Sequence, residues 1–344
     1  MRRAVLLILL FFLLIPAPAV WGGASKAQPA DRITLTFAGD IVLDGFVGEQ
    51  IARYGVHFPF AKVAPVLQKA DLAFANLETP VSVRGQAAEK TFAFRSKPET
   101  LGGLSYAGID GVTLANNHIL DYGQNAMLDT LVHLDRNKIG HTGAGSNMDQ
   151  AFKPYVKTVK GKRIAVLGAS RVLSGPSWHA GKNTPGAASA YTAEPLLGAI
   201  KKSAKDNDYT IVYLHWNEEF ADYPEKYART LAKQMIDSGA DIILGAHSHC
   251  LMGIEYYKHK PIYYSLGNFV FNKSTRGGEK TVHTMLADFT ITGSGITSRI
   301  TPLKIIGGQP NFMGAAYNKE AIMKLNKLSF NAKIAADGAV SEKL

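Results

Sequence analysis

The chain has 344 residues, of which 46% are hydrophobic and 19% charged, a composition typical of one large or two ordinary folded domains with an ample core. The formal net charge of +10 favours an anionic partner such as a phosphate ester, a carboxylate polymer or a lipid headgroup, or marks a generally basic surface. No dense Lys/Arg stripe is interleaved with aromatic residues, so nucleic acid is not expected as a partner. The single cysteine, Cys250, excludes an internal disulfide, and the core alone must hold the fold together.

The first 27 residues are predicted to form a signal peptide or an N-terminal anchor. Arg2 and Arg3 form a positive region, and an apolar segment at 5–15 follows. Small residues with A-x-A-like spacing then offer cleavage sites at 17–19 and 25–27. Because the apolar segment is shorter than the roughly 20 residues that span a bilayer, we expect cleavage rather than permanent anchoring. The protein is therefore expected to be exported. Its expected location is the periplasm, the medium or the outer face of the cytoplasmic membrane, to which it would be anchored.

Hydrophobic patterning predicts strands alternating with helices from residue 33 onward. The predicted strands cover 33–37, 71–78, 109–118, 162–170, 209–220, 240–249, 260–271 and 281–292. The predicted helices cover 60–70, 97–108, 123–140, 224–239 and 319–336. Segment 141–147 is predicted to be a Gly-rich turn, and 170–191 a long surface loop. The alternation indicates an α/β fold, with residues 31–310 as the main domain and 311–344 as a C-terminal helix and tail.

Side chains that can bind metal follow five of the predicted strands. They are Asp40 after "LTFAG", Glu78 after "LAFANL", Asn116, Asn117 and His118 after "VTLA", His215 after "IVYL", and His247 with His249 after "IILGA". In open α/β sheets, ligands bind outside the carboxyl ends of the strands, so these side chains converge if the strands are parallel neighbours. A mixture of imidazole, carboxylate and amide groups suits Zn, Mn or Fe(II) better than Ca or Mg.

Each of these residues alone has an ordinary structural interpretation, because Asp and Asn form turns and a core histidine can be satisfied by hydrogen bonds. His247 and His249 share a face if the backbone stays extended there. Cys250 is interpreted as a small buried hydrophobe rather than a ligand. His141 is a candidate to line the cleft, and the remaining histidines are interpreted as surface or packing residues. Without a G-x-S-x-G elbow, a Walker loop or a G-x-G-x-x-G after a strand, serine nucleophiles and nucleotide cofactors have little support.

Six motifs then resemble, in order and spacing, the capsule synthesis protein CapA family. They are "FAGDIVLDG", "ADLAFANLETPVS", "GVTLANNHILDYG", "IVYLHWNEEF", "GADIILGAHSHCLMGIE" and "PIYYSLGNFVF". The resemblance covers roughly residues 33–271. That family is associated with poly-γ-glutamate capsule synthesis and belongs to the calcineurin-like metallophosphatase superfamily. The resemblance implies a four-layer α/β/β/α sandwich with two divalent transition metal ions (Mn, Fe or Zn) at its strand ends.

The resemblance also implies roles for individual residues. It makes His118 catalytic, and it makes metal ligands of Asp40, Glu78, Asn117, His215, His247 and His249. Asn116, Glu218 and Asn268 match family positions around these ligands. Phosphoesterases of the superfamily usually carry His at the position of Val42 and Asp at the position of Glu78, so these two departures put ordinary phosphoesterase activity in question.

Three functional hypotheses follow from the sequence. The first is an exported metal-dependent hydrolase or transferase that acts on a phosphoester or on an anionic polymer, in capsule or poly-γ-glutamate synthesis, processing or export. The second is a non-catalytic module that binds an anionic polymer and assists membrane-bound synthase subunits. The third is an exported α/β protein with polar strand ends and no metal.

Overall fold

The computed structural model describes residues 32–343, and the predicted signal segment lies outside them. The strands are β1 (Ile33–Ile41), β2 (Leu72–Leu77), β3 (Gly111–Thr113), β4 (Gly140–Thr142), β5 (Ala144–Gly145), β6 (Tyr155–Val159), β7 (Lys162–Ser170), β8 (Gly186–Ala187), β9 (Tyr209–His215), β10 (Ile242–Ala246), β11 (Ile254–Tyr257), β12 (Lys260–Tyr263), β13 (Asn268–Val270), β14 (His283–Thr292), β15 (Gly295–Ile306), β16 (Gln309–Asn311), β17 (Ala332–Ile334) and β18 (Ala339–Glu342). The helices are α1 (Gly45–Tyr54), α2 (Ala64–Leu67), α3 (Leu101–Ala107), α4 (Gly123–Arg136), α5 (Met148–Ala151), α6 (Glu194–Asp206), α7 (Lys226–Asp237) and α8 (Ala315–Leu328). Within residues 32–343, no helix combines the length and apolar character needed to cross a membrane.

Two large sheets organise the described residues. The first has the order β17-β18-β15-β14-β1-β2-β3-β4, with β13 beside β1 and β16 beside β15. The second has the order β11-β12-β10-β9-β7-β6. Strands β1 to β4 are parallel neighbours in the first sheet, and β7, β9, β10 and β12 are parallel in the second. The carboxyl ends of the parallel strands therefore lie together at one edge of each sheet.

Alternation along the strands divides the buried side chains into three cores. Leu35 and Phe37 of β1 pack with Tyr213 of β9 and Leu244 of β10 in a core between the two sheets. The opposite face of the first sheet packs on helices α1 to α4, and the opposite face of the second packs on α6 and α7. The result is the predicted four-layer α/β/β/α sandwich.

Several elements differ from the sequence prediction. The predicted helix at 60–70 is reduced to α2, because Pro65 has no N–H to continue a helix from the preceding turn. Helix α1 was not predicted, since Gly45 and Gly48 weaken its helical signal. Helix α6 was also missed, although Pro195 in its first turn is a helix-start signal.

The C-terminal segment contains more structure than a helix and a tail. After α8, strands β17 and β18 pair with each other, and Ser298 and Arg299 of β15 pair with β18. The predicted Gly-rich turn contains β5, which pairs with β8 from the predicted surface loop. These strands are too short to give a periodic hydrophobic pattern in the sequence.

Candidate metal centre

The polar residues at the strand ends converge between the two sheets. Asp40 lies near the end of β1, opposite Asn76 in the register of β1 with β2. Glu78 follows β2 directly, His215 is the last residue of β9, and β10 leads into the loop that carries His247. The convergence expected from parallel strands is therefore present in the structure.

Five of the predicted ligands form two groups that share one carboxylate. The first group is Glu78, His215 and His247, and the second is Asp40, Glu78 and His249. Within each group, one potential ligand atom per residue lies within 4.8 Å of the others, and all five residues are buried. Glu78 is thus placed between two sets of metal-capable atoms.

Glu78 shows the clearest need for a cation. Its side chain is 0% exposed, and neither carboxylate oxygen has a hydrogen-bond donor among the described residues. The imidazole Nε2 atoms of His215 and His118 lie 3.3 Å and 3.9 Å from Oε1. A buried carboxylate without hydrogen bonds is costly, and a metal ion would satisfy both oxygens. The residues present therefore fit a metal.

Asp40 is held by the backbone and by an amide that the sequence analysis did not single out. Asn76 donates from Nδ2 to Asp40 Oδ1 at 2.7 Å, and the His247 backbone N–H donates to Oδ2 at 3.2 Å. Burial, and then the neighbouring Glu78 carboxylate, hold the pKa of Asp40 well above its usual range. Two carboxylates buried this close are both ionised only if positive charge lies between them, which is what a divalent ion provides.

The imidazoles of the first group are prepared to act as neutral ligands. Burial lowers the pKa of His215, and burial followed by the neighbouring imidazoles of His215 and His249 lowers the pKa of His247 well below its usual range. Nδ1 of His247 is buried without a hydrogen-bond partner among the described residues. Asn117 brings its amide oxygen to 2.8 Å from Nε2 of His215. The sixth predicted ligand therefore joins the first group.

His247 and His249 were expected to share a face if the backbone stayed extended, but the backbone around them is not extended. Strand β10 ends at Ala246, and the two histidines have φ of +91° and +56°. Both adopt a left-handed conformation that is uncommon for residues other than glycine. The imidazoles converge because the loop turns, with ring centroids 5.9 Å apart, and not because of strand alternation.

Asn268 fixes the orientation of His249. Its Nδ2 donates to the carbonyl oxygens of Thr281 and His249, at 3.0 Å and 3.4 Å. Its Oδ1 must then accept, so the His249 Nδ1–H donates to it at 2.8 Å. This leaves Nε2 of His249 as the free lone pair, an arrangement common for metal-binding histidines.

His118 is positioned by a carboxylate that was not among the predicted site residues. Its Nδ1 lies 2.7 Å from Oδ2 of Asp121, which is fully buried. Asp121 also accepts hydrogen bonds from Lys90 Nζ at 2.8 Å and from the Phe94 N–H at 2.8 Å. The imidazole is therefore oriented with Nε2 toward Glu78.

Asn116 and Glu218 occupy different environments. Asn116 is buried and donates to Asn76 Oδ1 and to the Leu77 carbonyl, while its Oδ1 accepts from the His118 N–H. It therefore ties the loop after β3 to β2. Glu218 is exposed, and its neighbour Glu219 lines the cavity beside the site.

Two further candidates lie outside the cluster. His141 is in β4 and contacts Asp135. Cys250 is buried, and its thiol donates to the Ala221 carbonyl at 3.1 Å. Burial raises the pKa of the Cys250 thiol, which favours the neutral form and a packing role.

Asn76 and Asp121 are the residues that sequence reasoning missed. Asn76 stands two residues before Glu78 in a strand that is otherwise apolar, so alternation already placed both side chains on one face. Asp121 stands three residues after His118 in "NHILDYG", and nothing in its local pattern distinguished it from a turn residue.

Comparison with known proteins decides the family. The sequence model described as bacterial capsule synthesis protein PGA_cap matches residues 34–273, more than half of the chain. The chain belongs to the PGA_cap family. It is 33% identical over 309 residues to the capsule biosynthesis protein CapA of Bacillus anthracis, a match that covers 87% of this chain and 74% of that protein. It is also 33% identical over 301 residues to the PGA biosynthesis protein CapA of Bacillus subtilis strain 168, covering 85% and 78%.

The fold of this PGA_cap member is shared with a phosphatase of known structure. A novel phosphatase from Mycoplasma pneumoniae superposes with a TM-score of 0.50 at 16% identity, over 80% of this chain and 94% of that one. At this identity the likeness concerns the fold alone. The resemblance to the CapA family is confirmed, and so is the predicted four-layer α/β/β/α sandwich.

Proposed function

We propose that this PGA_cap protein is an exported, metal-dependent hydrolase that acts in the synthesis, processing or export of capsular poly-γ-glutamate or a related anionic polymer. The observation that carries the proposal is Glu78, a buried carboxylate shared by two groups of ligands and lacking hydrogen-bond donors among the described residues. A shared carboxylate of this kind supports two divalent ions rather than one. The nitrogen and oxygen donors of the two ligand groups suit Mn, Fe or Zn.

The metal ions would be held by Asp40, Glu78, Asn117, His215, His247 and His249. Divalent ions in such a site lower the pKa of water and polarise phosphoryl or carbonyl oxygens. The chain's own contribution is to keep the imidazoles neutral by burial and to hold His249 through Asn268. The ligands are thereby positioned before a substrate arrives.

His118 is the proposed general acid. Asp121 accepts a hydrogen bond from Nδ1–H, so a proton carried on Nε2 can be delivered to the leaving-group oxygen. His118 lines the cavity beside the centre, where a substrate can reach it. Lys90 and the Phe94 N–H hold the Asp121 carboxylate in place through hydrogen bonds.

Export and partners belong to the same proposal. Arg2 and Arg3, followed by the apolar segment at 5–15, support an export signal, with action in the periplasm, in the medium or at the outer face of the cytoplasmic membrane. The names of the relatives refer to capsule and PGA biosynthesis, and the proposed partners in that process are membrane-bound capsule synthase subunits. Comparing the N-terminal sequence and mass of protein from the cell envelope and from the medium tests cleavage and location together.

The catalytic proposal is tested by assaying metal-loaded protein on bis-p-nitrophenyl phosphate and on γ-glutamyl oligomers. We expect hydrolysis of at least one substrate, its loss with a chelator, and its recovery with Mn, Fe or Zn. We expect His118→Ala to lower kcat by on the order of 10²-fold or more with metal content unchanged. Rates no higher than those of free metal ions on both substrates would contradict the proposal.

The net charge of +10 favours a second candidate, a non-catalytic module that binds an anionic polymer. A protein with that function should bind poly-γ-glutamate with an affinity that falls as the salt concentration rises and that does not change in His118→Ala. If His118→Ala abolishes capsule production while polymer binding stays intact, the purely binding role is excluded.

A further inference from the structure

A cavity of about 280 Å³ opens beside the metal centre, with His118 and His249 in its wall. The same cavity is lined by five phenylalanines, which are Phe46, Phe92, Phe94, Phe220 and Phe271. The ring centroid of Phe94 lies 4.8 Å from that of His118. The rings of Phe271 and Phe220 lie 5.2 Å and 6.0 Å from that of His249. Three of the five phenylalanines therefore flank the two imidazoles that face the cavity.

The phenylalanines of this cavity keep part of their surface exposed. None of the five is fully buried, and Phe92 is 52% exposed. Phe92 extends the apolar wall outward by stacking on Phe94, with centroids 6.4 Å apart and planes at 14°. Val42 adds a further apolar side chain to the cavity. Apolar surface gathered beside a polar centre is typical of a ligand pocket.

The two cations of the cavity lining, Lys273 and Arg276, are already paired with carboxylates. Arg276 lies 3.1 Å from Glu219, and Lys273 lies 2.9 Å from Glu279. Asp44, the remaining charged residue of the lining, adds a carboxylate. Both cations of the lining therefore already have a carboxylate partner, and Glu279 is shared by Lys273 and Lys304. The anionic part of a ligand therefore belongs at the metal centre, and the cavity is suited to an uncharged, apolar part.

We propose that the substrate is a phosphate ester of an apolar alcohol, aryl or alkyl, whose apolar group lies on the phenylalanines with Phe92 as the outer wall. This inference rests on the proposed function, because it places the phosphate at the metal centre. A plain γ-glutamyl chain has no group of this kind. The cavity therefore assigns the reaction to a phosphoester that carries a hydrophobic group rather than to the polymer itself.

The proposal is tested by binding of phosphonates, which cannot be hydrolysed at the P–C bond. On Mn-loaded full-length protein, we expect phenylphosphonate and hexylphosphonate each to bind at least about tenfold more tightly than methylphosphonate, since they bury apolar area. Phe92→Ser should remove most of this preference and leave methylphosphonate affinity unchanged. Phe92→Leu should retain the preference for hexylphosphonate. Phe312 is an exposed phenylalanine outside the cavity lining, and Phe312→Ser should retain the preference for both phenylphosphonate and hexylphosphonate.

A preference for only one of phenylphosphonate and hexylphosphonate identifies the alcohol as aryl or as alkyl. Equal affinities for the three phosphonates would overturn the proposal, as would an undiminished preference in Phe92→Ser.

A neutral probe separates the cavity from the metal centre. The fluorescence of N-phenyl-1-naphthylamine should increase on binding to wild type and to Phe312→Ser, with or without metal, and the increase should be largely lost in Phe92→Ser. If the dye behaves in this way but no phosphonate binds, the metal-centre function fails while the apolar cavity stands. If Phe92→Ser binds the dye as wild type does, the apolar cavity is refuted whatever the phosphonates do.

Discussion

At the residue scale, Glu78 is the side chain whose environment most requires a cation. At a metal concentration 100-fold above Kd, binding stabilises the folded state by about 2.7 kcal/mol, which is several degrees in Tm. We expect Mn or Zn to produce such a shift in wild type and Glu78→Gln to lose most of it, because the amide keeps the shape and removes the shared charge. Glu49→Gln, at an exposed position of α1, should shift with metal as wild type does. A full metal-induced shift in Glu78→Gln would contradict the assigned role.

Asp121 supplies the second residue-scale prediction. Asp121→Asn keeps the size of the side chain but removes the carboxylate that orients His118. We expect kcat on the substrate identified for wild type to fall by about 10²-fold or more, with metal content unchanged. Asp129 lies on α4, and Asp129→Asn, which breaks its ion pair with Arg84, is the matched control. Wild-type kcat in Asp121→Asn would show that His118 needs no partner.

At the element scale, the approach of β1 to the segment before β13 depends on a glycine. A Cβ on Gly39 would stand 1.8 Å from the carbonyl oxygen of Gly267, and the Asp40 N–H donates to that same oxygen. Gly39→Ala must therefore push the strands apart and displace Asp40. We expect a loss of about 2 kcal/mol or more in urea denaturation and reduced metal content.

Gly48 is the control for this substitution. It lies in α1, where an added Cβ meets only ordinary contacts at 3.5 Å or more. Gly48→Ala should raise the free energy of unfolding by about 0.5–1 kcal/mol through helix propensity. If Gly39→Ala were as stable as Gly48→Ala, the close approach would not exist in solution.

The contact between α7 and β11 gives a pH prediction. Glu255 of β11 is buried and accepts two hydrogen bonds from Arg229 and one from Tyr264. Burial acts to raise the pKa of Glu255, but these hydrogen bonds outweigh it, and the pKa lies below its ordinary value of 4.5. A depressed pKa contributes stability that is present above pH 4.5 and is lost as the pH falls through the folded-state value.

Glu255→Gln should therefore lower the free energy of unfolding by about 1–3 kcal/mol at pH 7, with a smaller difference from wild type at pH 3.5. Asp337→Asn, which breaks an exposed pair with Arg299, should leave the free energy of unfolding close to that of wild type at either pH, because exposed ion pairs contribute little. Urea denaturation at the two pH values measures both variants. A difference for Glu255→Gln that grows on acidification would contradict the assigned ion pair.

At the scale of the whole molecule, the sequence was most informative where an apolar run ends and polar side chains follow. Strand ends at Asp40, Glu78 and His215 could be placed from the points where apolar runs stop, and parallel pairing then brings them to one edge. The loop conformation of His247 and His249 could not, since positive φ at these residues follows from tertiary packing. Strands β17 and β18 were too short to show a period.

The aromatic cavity lay beyond sequence reasoning for another physical reason. Its phenylalanines come from four segments far apart in the chain, at 46, 92–94, 220 and 271, and only the folded loops bring them together. In the sequence, nothing distinguishes any one of these phenylalanines from an ordinary hydrophobic residue. The position of Glu219 at the cavity, in place of its neighbour Glu218, likewise depends on how the loop after β9 turns.

The proposed function places two metal ions around Glu78. The most direct test is the metal stoichiometry of protein purified without chelators and supplied with Mn, Fe and Zn, measured by inductively coupled plasma mass spectrometry. We expect close to two transition metal ions per chain in wild type and a clear loss in Glu78→Gln. Wild-type protein that retains no transition metal under these conditions would contradict the proposed function.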